Sequence, residues 1–211
     1  MKTIGVFDSG IGGLSVANAI KEAFPEYRVE HREDTKNVPY GTKTADQIYG
    51  FVKPILDDLA KTCDVIVIAC NTVTTTLIDR LRKEIAVPII GIEPMVKPAS
   101  QLTASKIIAV CATPTTLGSP RYDYLKRQYA KNIMVIEPDC SDWSELIEQN
   151  EISEQKILED IEPALKAGAD VIVLGCTHYH WIEKEIDEIV GNKATVLQPE
   201  QAIITRLKVL L

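Results

Sequence analysis

The stretch DVIVLGCTHYH, residues 170–180, ends an aliphatic run in a cysteine, a threonine and a histidine, and the earlier stretch DVIVIACNTVT, residues 64–74, has the same design. Each reads Asp, Val-Ile-Val, Ile or Leu, a small residue, and then a cysteine: Cys70 in the first, Cys176 in the second. A lone cysteine at such a place is more often a small buried hydrophobe than a reactive group. Two at equivalent points of a repeated pattern suit one reaction in particular. Inverting a carbon that carries a proton, a carboxylate and an ammonium needs a base on one face and an acid on the other. A thiol with a free pKa of about 8.5 can be either, so one sulfur takes a proton while its partner returns one. Such chemistry needs desolvation and donors around the carboxylate, and no cofactor.

Polar residues gather around the same points. Asn71, Thr72 and Thr74 follow Cys70, as side-chain donors or as a helix-capping cluster, and Thr177 and His178 follow Cys176. The turn FDSGIGGLS offers Asp8 and Ser9, and then Gly10, Gly12 and Gly13, whose backbone amides could approach an anion. It fails as a dinucleotide fingerprint, because Ser15 stands where the last glycine is needed. An acid beside the first thiol disfavours a resting thiolate there, so a neutral thiol is expected before substrate binds. Cys176, His178 and His180 alternate, but no further ligand pair supports a metal, and none is expected.

These residues need rigid elements to hold them. Short β-branched runs alternate with longer amphipathic segments, the pattern of parallel strands joined by helical crossovers. Strands are predicted at 3–7, 27–31, 65–69, 87–91, 106–111, 133–137, 171–174 and 194–197. Helices are predicted at 14–24, 44–62, 74–85, 96–102, 116–129, 153–167, 182–190 and 200–210. The runs at 65–69 and 171–174 are apolar throughout, as for sheet centres covered on both faces, and ligands of such sheets bind beyond the carboxyl ends, where both cysteines fall. The repeat predicts an α/β fold of two similar lobes, each a mostly parallel sheet flanked by helices. The first lobe is expected over 1–96, completed by a strand and helix from 180–211, and the second over 97–179.

The chain has 211 residues, 45% of them hydrophobic, and a net charge of -7 with no basic cluster. It can bury a sizeable core, and neither nucleic acid nor an anionic membrane is an expected partner. No secretory h-region precedes Asp8 and no run approaches a membrane span, so a cytoplasmic location is expected. Five cysteines, at 63, 70, 111, 140 and 176, form no C-x-x-C pair and are expected to be free thiols, with Cys63, Cys111 and Cys140 as packing residues. Trp143 and Trp181 are expected at lobe edges.

The segments GVFDSGIGGLSV, DTKNVPYGTKT, ACNTVTT, GIEPMVKPA, ATPTTLGSPRY, CSDWSELIEQN and LGCTHY, in this order, resemble the motif series of bacterial glutamate racemases, in the aspartate/glutamate racemase superfamily. The resemblance runs from about residue 4 into the final helix. It implies a cofactor-independent isomerase that interconverts L- and D-glutamate and supplies D-glutamate for peptidoglycan, a homodimer with its active site in the cleft between two lobes. By position it makes Cys70 and Cys176 the proton-transfer residues, Asp8 the assistant of the first, His178 that of the second, and Glu148 a further assisting carboxylate. Ser9, Pro39, Tyr40, Gly41, Asn71, Thr72, Thr113, Thr116 and Thr177 then contact substrate. The chain departs from the pattern at His180 and Ser141, where proline is usual, and in a shorter segment between Glu148 and Leu174. Other readings are an aspartate racemase, a two-lobed amino-acid-binding protein, and a hydrolase pairing Cys176 with His178, whose adjacency on one strand end argues against that pairing.

Overall fold

In a computed structural model that describes residues 2–211, two four-stranded sheets, parallel throughout, repeat one topology. The strands are β1 (Thr3–Asp8), β2 (Arg28–Glu33), β3 (Val65–Ile68), β4 (Ile89–Gly91), β5 (Ile107–Cys111), β6 (Met134–Ile136), β7 (Val171–Leu174) and β8 (Thr195–Leu197). The helices are α1 (Gly13–Ala23), α2 (Ala45–Leu59), α3 (Asn71–Glu84), α4 (Val96–Leu102), α5 (Pro114–Leu117), α6 (Pro120–Tyr129), α7 (Trp143–Glu148), α8 (Glu154–Lys166), α9 (Glu183–Val190) and α10 (Glu200–Leu210). The strand orders are β2-β1-β3-β4 and β6-β5-β7-β8. The first sheet, with residues up to Glu93, and α10, with Pro199–Leu211, make one compact unit, and Pro94–Gln198 make the other.

The apolar runs of the sequence become the two strand interiors because side chains alternate across a sheet. On β3, Val65 and Val67 face a core with α1 and α10, while Ile66, Ile68 and then Cys70 face a core with α2 and α3. On β7, Val171 and Val173 face a core with α4 and α6, while Ile172, Leu174 and then Cys176 face a core with α7, α8 and α9. Helix α2 presents Ile48, Val52, Leu56 and Leu59 to its sheet, at the three- and four-residue spacing of one helical face. Its start is fixed by a capping box in which Thr44 and Gln47 satisfy each other's backbone amides.

The aspartate opening each repeated stretch is a structural tie. Asp64 accepts from the Thr3 amide at 2.7 Å, and Asp170 accepts from the Ala104 and Ser105 amides, each at 2.7 Å, and from the Thr103 hydroxyl. Burial works to raise the Asp170 carboxyl, but these hydrogen bonds outweigh it and hold the group below the usual carboxylate range.

All eight predicted strands are present, but the end of the chain divides differently from the expectation. β8 pairs with β7 rather than with the first sheet, because Val196 and Ala194 pack with Ile172 and Ile186 in the second unit's core. The return to the first unit therefore comes at Pro199, not at residue 180, and consists of α10 alone, whose Ile203 and Leu207 close the core beside α1. The second unit thus begins at Pro94 and runs through Gln198, past the predicted limit of 179. Helix α3 starts at Asn71, three residues before the predicted start at 74, and α7 was not among the predicted helices. Trp143 lies fully buried in the second core, its ring edge against Tyr179 and its Nε1 donating to Asp160 at 2.7 Å, rather than at an edge.

Candidate functional site

In each sheet the strand order reverses direction between two neighbours, β1 and β3 in the first and β5 and β7 in the second. Beyond the carboxyl ends at such a reversal the crossovers diverge and leave a crevice. The candidate residues fall at these two points, and each unit carries one set.

In the first unit Asp8 ends β1 and is completely buried. Its Oδ2 accepts from the Gly13 amide at 2.7 Å, which folds the glycine-rich turn back onto the carboxylate. A Cβ on Gly13 would lie 2.3 Å from the Asp8 Cβ, so this approach requires glycine. Cys70, 4% exposed, sits between β3 and α3, with its sulfur 3.4 Å from the Ser9 hydroxyl. Pro39 leads into a single 3-10 turn, Tyr40–Thr42, in which Tyr40 and Gly41 are buried. The Tyr40 hydroxyl donates to Asp34 at 2.5 Å. Burial first, then Asp34, push that phenol far above its ordinary range, with Cys70 and Asp8 near enough to add to the effect. Asn71 and Thr72 open α3 and are buried. Both polar atoms of the Asn71 amide are buried without a hydrogen-bond partner among the described residues. Buried polar groups are nearly always paired, so this amide is open to an ordered water or a bound small molecule.

In the second unit Cys176, 8% exposed, follows β7 and Gly175. A Cβ on Gly175 would stand 2.8 Å from the Ala112 Cβ and 3.0 Å from the Cys111 carbonyl, so the approach of β7 to β5 just before the cysteine requires glycine. The Cys176 sulfur lies 3.8 Å from Nδ1 of His178, whose Nε2 is 2.8 Å from a Glu148 oxygen. With Nε2–H donating to the carboxylate, the neutral ring turns an accepting Nδ1 toward the sulfur. The expectation that adjacency keeps Cys176 and His178 apart does not hold: the 3-10 turn Thr177–Ile182 swings the imidazole back onto the thiol. Thr113 caps α5, accepting from the Thr116 amide at 3.3 Å and donating to its hydroxyl at 3.1 Å, with both buried just beyond β5. Thr177 is buried beside Cys176.

His180 is half-buried, and burial, with a smaller push from His178, takes its imidazole down to about 4. All five cysteines are free and buried. Among the described residues no three His, Cys, Asp or Glu gather as a metal would require, and no helix is long and apolar enough to cross a membrane.

Two residues in these clusters were not singled out in the sequence. Asp34 anchors Tyr40 and opens the motif DTKNVPYGTKT, so its signal was present. Ser144 places its hydroxyl 3.5 Å from the Cys176 sulfur, and only its position four residues before Glu148 could have marked it.

Residues 4–207 match the family model described as Asp/Glu/Hydantoin racemase. The glutamate racemase of Ralstonia nicotianae is 36% identical over 209 residues, covering 97% of this chain and 76% of that protein. The Escherichia coli glutamate racemase solved with L-glutamate and the activator UDP-MurNAc-ala superimposes with a TM-score of 0.88 at 28% identity, over 99% of this chain and 82% of that one. The Francisella tularensis glutamate racemase solved with D-glutamate gives 0.85 at 28% identity, over 100% of this chain and 81% of that one.

Proposed function

Because the chain belongs to the Asp/Glu/Hydantoin racemase family, we propose that it interconverts L- and D-glutamate by proton transfer between two thiols, with no cofactor, and that the D-glutamate supplies peptidoglycan. The observation that carries this reading is the repetition. The third strand of each sheet ends in a cysteine on the same face of the strand, at the sheet's reversal point, with hydrogen-bonding side chains around it. Glutamate is favoured over aspartate by the relatives named glutamate racemase, two of them solved with one enantiomer each.

In the proposed cycle one cysteine, as thiolate, takes the α-proton from its face of the carbon. The electron pair is left on that carbon and spreads into the carboxylate. The other cysteine, as thiol, gives its proton to the opposite face. One sulfur ends as thiol and the other as thiolate, and turnover in the reverse direction restores them. Asp8 serves the Cys70 side, while His178, oriented by Glu148, serves the Cys176 side. Ser9, Pro39, Tyr40, Gly41, Asn71, Thr72, Thr113, Thr116 and Thr177 bind substrate, the unpaired Asn71 amide being the firmest of these assignments. The enzyme acts as a cytoplasmic homodimer.

The Cys176–His178–Glu148 row also resembles a hydrolase nucleophile with its base and orienting acid. Incubation with L-glutamate in deuterated water separates the two readings. A racemase incorporates deuterium at the α-carbon while the circular dichroism signal decays to zero. Cys70→Ser and Cys176→Ser should each slow that decay by about 10²–10⁴-fold. Retention of the signal by the unaltered protein would reject the proposal.

A further inference from the structure

We propose that Ser144 is a positioning residue for the second thiol, its hydroxyl held by α7 so as to donate to the Cys176 sulfur whenever that sulfur carries charge. The inference deepens, and rests on, the reading of Cys176 as a proton-transfer group. Residues four apart on a helix share a face, and α7 uses that spacing to address two neighbours of one turn. Ser144 reaches the Cys176 sulfur at 3.5 Å, and Glu148 reaches His178 at 2.8 Å. One short helix thereby sets both the sulfur and the imidazole beside it.

The phenol of Tyr179 lies near this serine and is already committed, since it donates its own proton to the Cys140 carbonyl at 2.8 Å. With a neutral thiol, either the sulfur or the Ser144 oxygen can be the donor across the 3.5 Å between them. When the sulfur is charged, the Ser144 hydroxyl turns onto it and makes a charge-assisted hydrogen bond, the stronger kind. Only this donor rotates. No covalent bond forms or breaks at Ser144, and the transferred proton passes between sulfur and substrate.

The support beneath the serine is rigid, since Trp143 next to it is fully buried, bonded to Asp160 and packed edge-on against Tyr179. The ionisable groups around Cys176 are His178 with Glu148 behind it, Tyr179, and the deeper Cys140 and Cys111. Ser144 is thus a neutral donor in a setting otherwise made of titrating groups. The first unit reaches the same result by another route, as Ser9, from the turn after β1, stands 3.4 Å from Cys70. Two unrelated elements deliver one hydroxyl to each sulfur.

The test is alkylation by iodoacetamide without glutamate, followed at each cysteine by mass spectrometry. In Ser144→Ala the rate at Cys176 at pH 7.5 should fall about tenfold, the scale of one hydrogen bond to a charged group. The rate at Cys70 should not change, and the gap between variant and unaltered protein should close as the pH is raised and the thiolate forms in both. Ser144→Thr, which keeps the hydroxyl, should restore the rate. An unchanged Cys176 rate in Ser144→Ala, or an equal change at both cysteines, overturns the proposal. If the unaltered protein fails to exchange the α-hydrogen of glutamate, the racemase reading falls separately, and the alkylation comparison still decides whether Ser144 acts on the sulfur.

Discussion

Asn71 carries, in the proposed site, an amide that the protein itself leaves without a hydrogen-bond partner. A buried amide with neither polar atom paired weakens the folded state by about 1–3 kcal/mol where no water or ligand meets it. Asn71→Ala is therefore expected to leave stability within about 1 kcal/mol of the starting protein, the lost packing offset by the relieved desolvation, while KM for glutamate rises about tenfold. Urea titration beside steady-state kinetics checks both halves. His180 bears on stability through pH. Its folded value of about 4 lies below the unfolded value of about 6.5, so as pH falls the unfolded chain takes the proton first. Stability should be full above pH 6.5 and decline toward pH 4, by up to about 3 kcal/mol, and His180→Gln should flatten that slope in chemical denaturation curves. The two strand-end cysteines and the polar residues beside them could be picked out from residue type and spacing, whereas the roles of Asp8 and His178 came with the resemblance. Ser144 was not legible, because its partner lies in a distant segment and a serine on an exposed-looking stretch carries no local mark.

At the scale of elements, the strands could be read because continuous apolar runs bounded by turn residues have few other uses. The short helix α7 was missed for the converse reason: six residues, two of them glutamate, span too few turns for a periodicity to show. Helix α3 starts earlier than expected because the chain turns helical directly after Cys70, with Thr75 and Thr76 bonding back to the carbonyls of Asn71 and Thr72 at 2.8 and 2.7 Å. That early start carries Asn71 and Thr72 beside the cysteine. The approach of α1 to the end of β1 is equally tight. Gly13→Ala should force the turn away from Asp8 and lower stability by about 1–3 kcal/mol, seen as a reduced Tm. Racemase activity should fall further than stability does, because in the proposed cycle the displaced carboxylate serves Cys70.

For the molecule as a whole, the twofold repeat of the sequence matches the repeated strand order, and the α/β class followed from it. The ownership of the C-terminal strand did not. β8 is a three-residue strand, half-exposed, and nothing in Thr195–Leu197 encodes which sheet edge will accept it, since pairing is settled by packing far away in sequence. Helix α10 alone crosses back, and its Ile203 and Leu207 fill the first unit's core. Removing residues 199–211 should destabilise the first unit by about 3–6 kcal/mol, the burial of two aliphatic side chains. Hydrogen exchange should then report lost protection in β1 and β3 and retained protection in β5 and β7.

The position of α10 also fixes an order of events at the ribosome. Domains tend to fold as they emerge, amino-terminal portion first. Here the portion made first lacks its closing helix until every residue of the other unit has been translated. The unit that leaves the exit tunnel ahead of the other is thus the last to be finished, and until then the α1 side of its sheet is open to chaperones or to a neighbouring nascent chain.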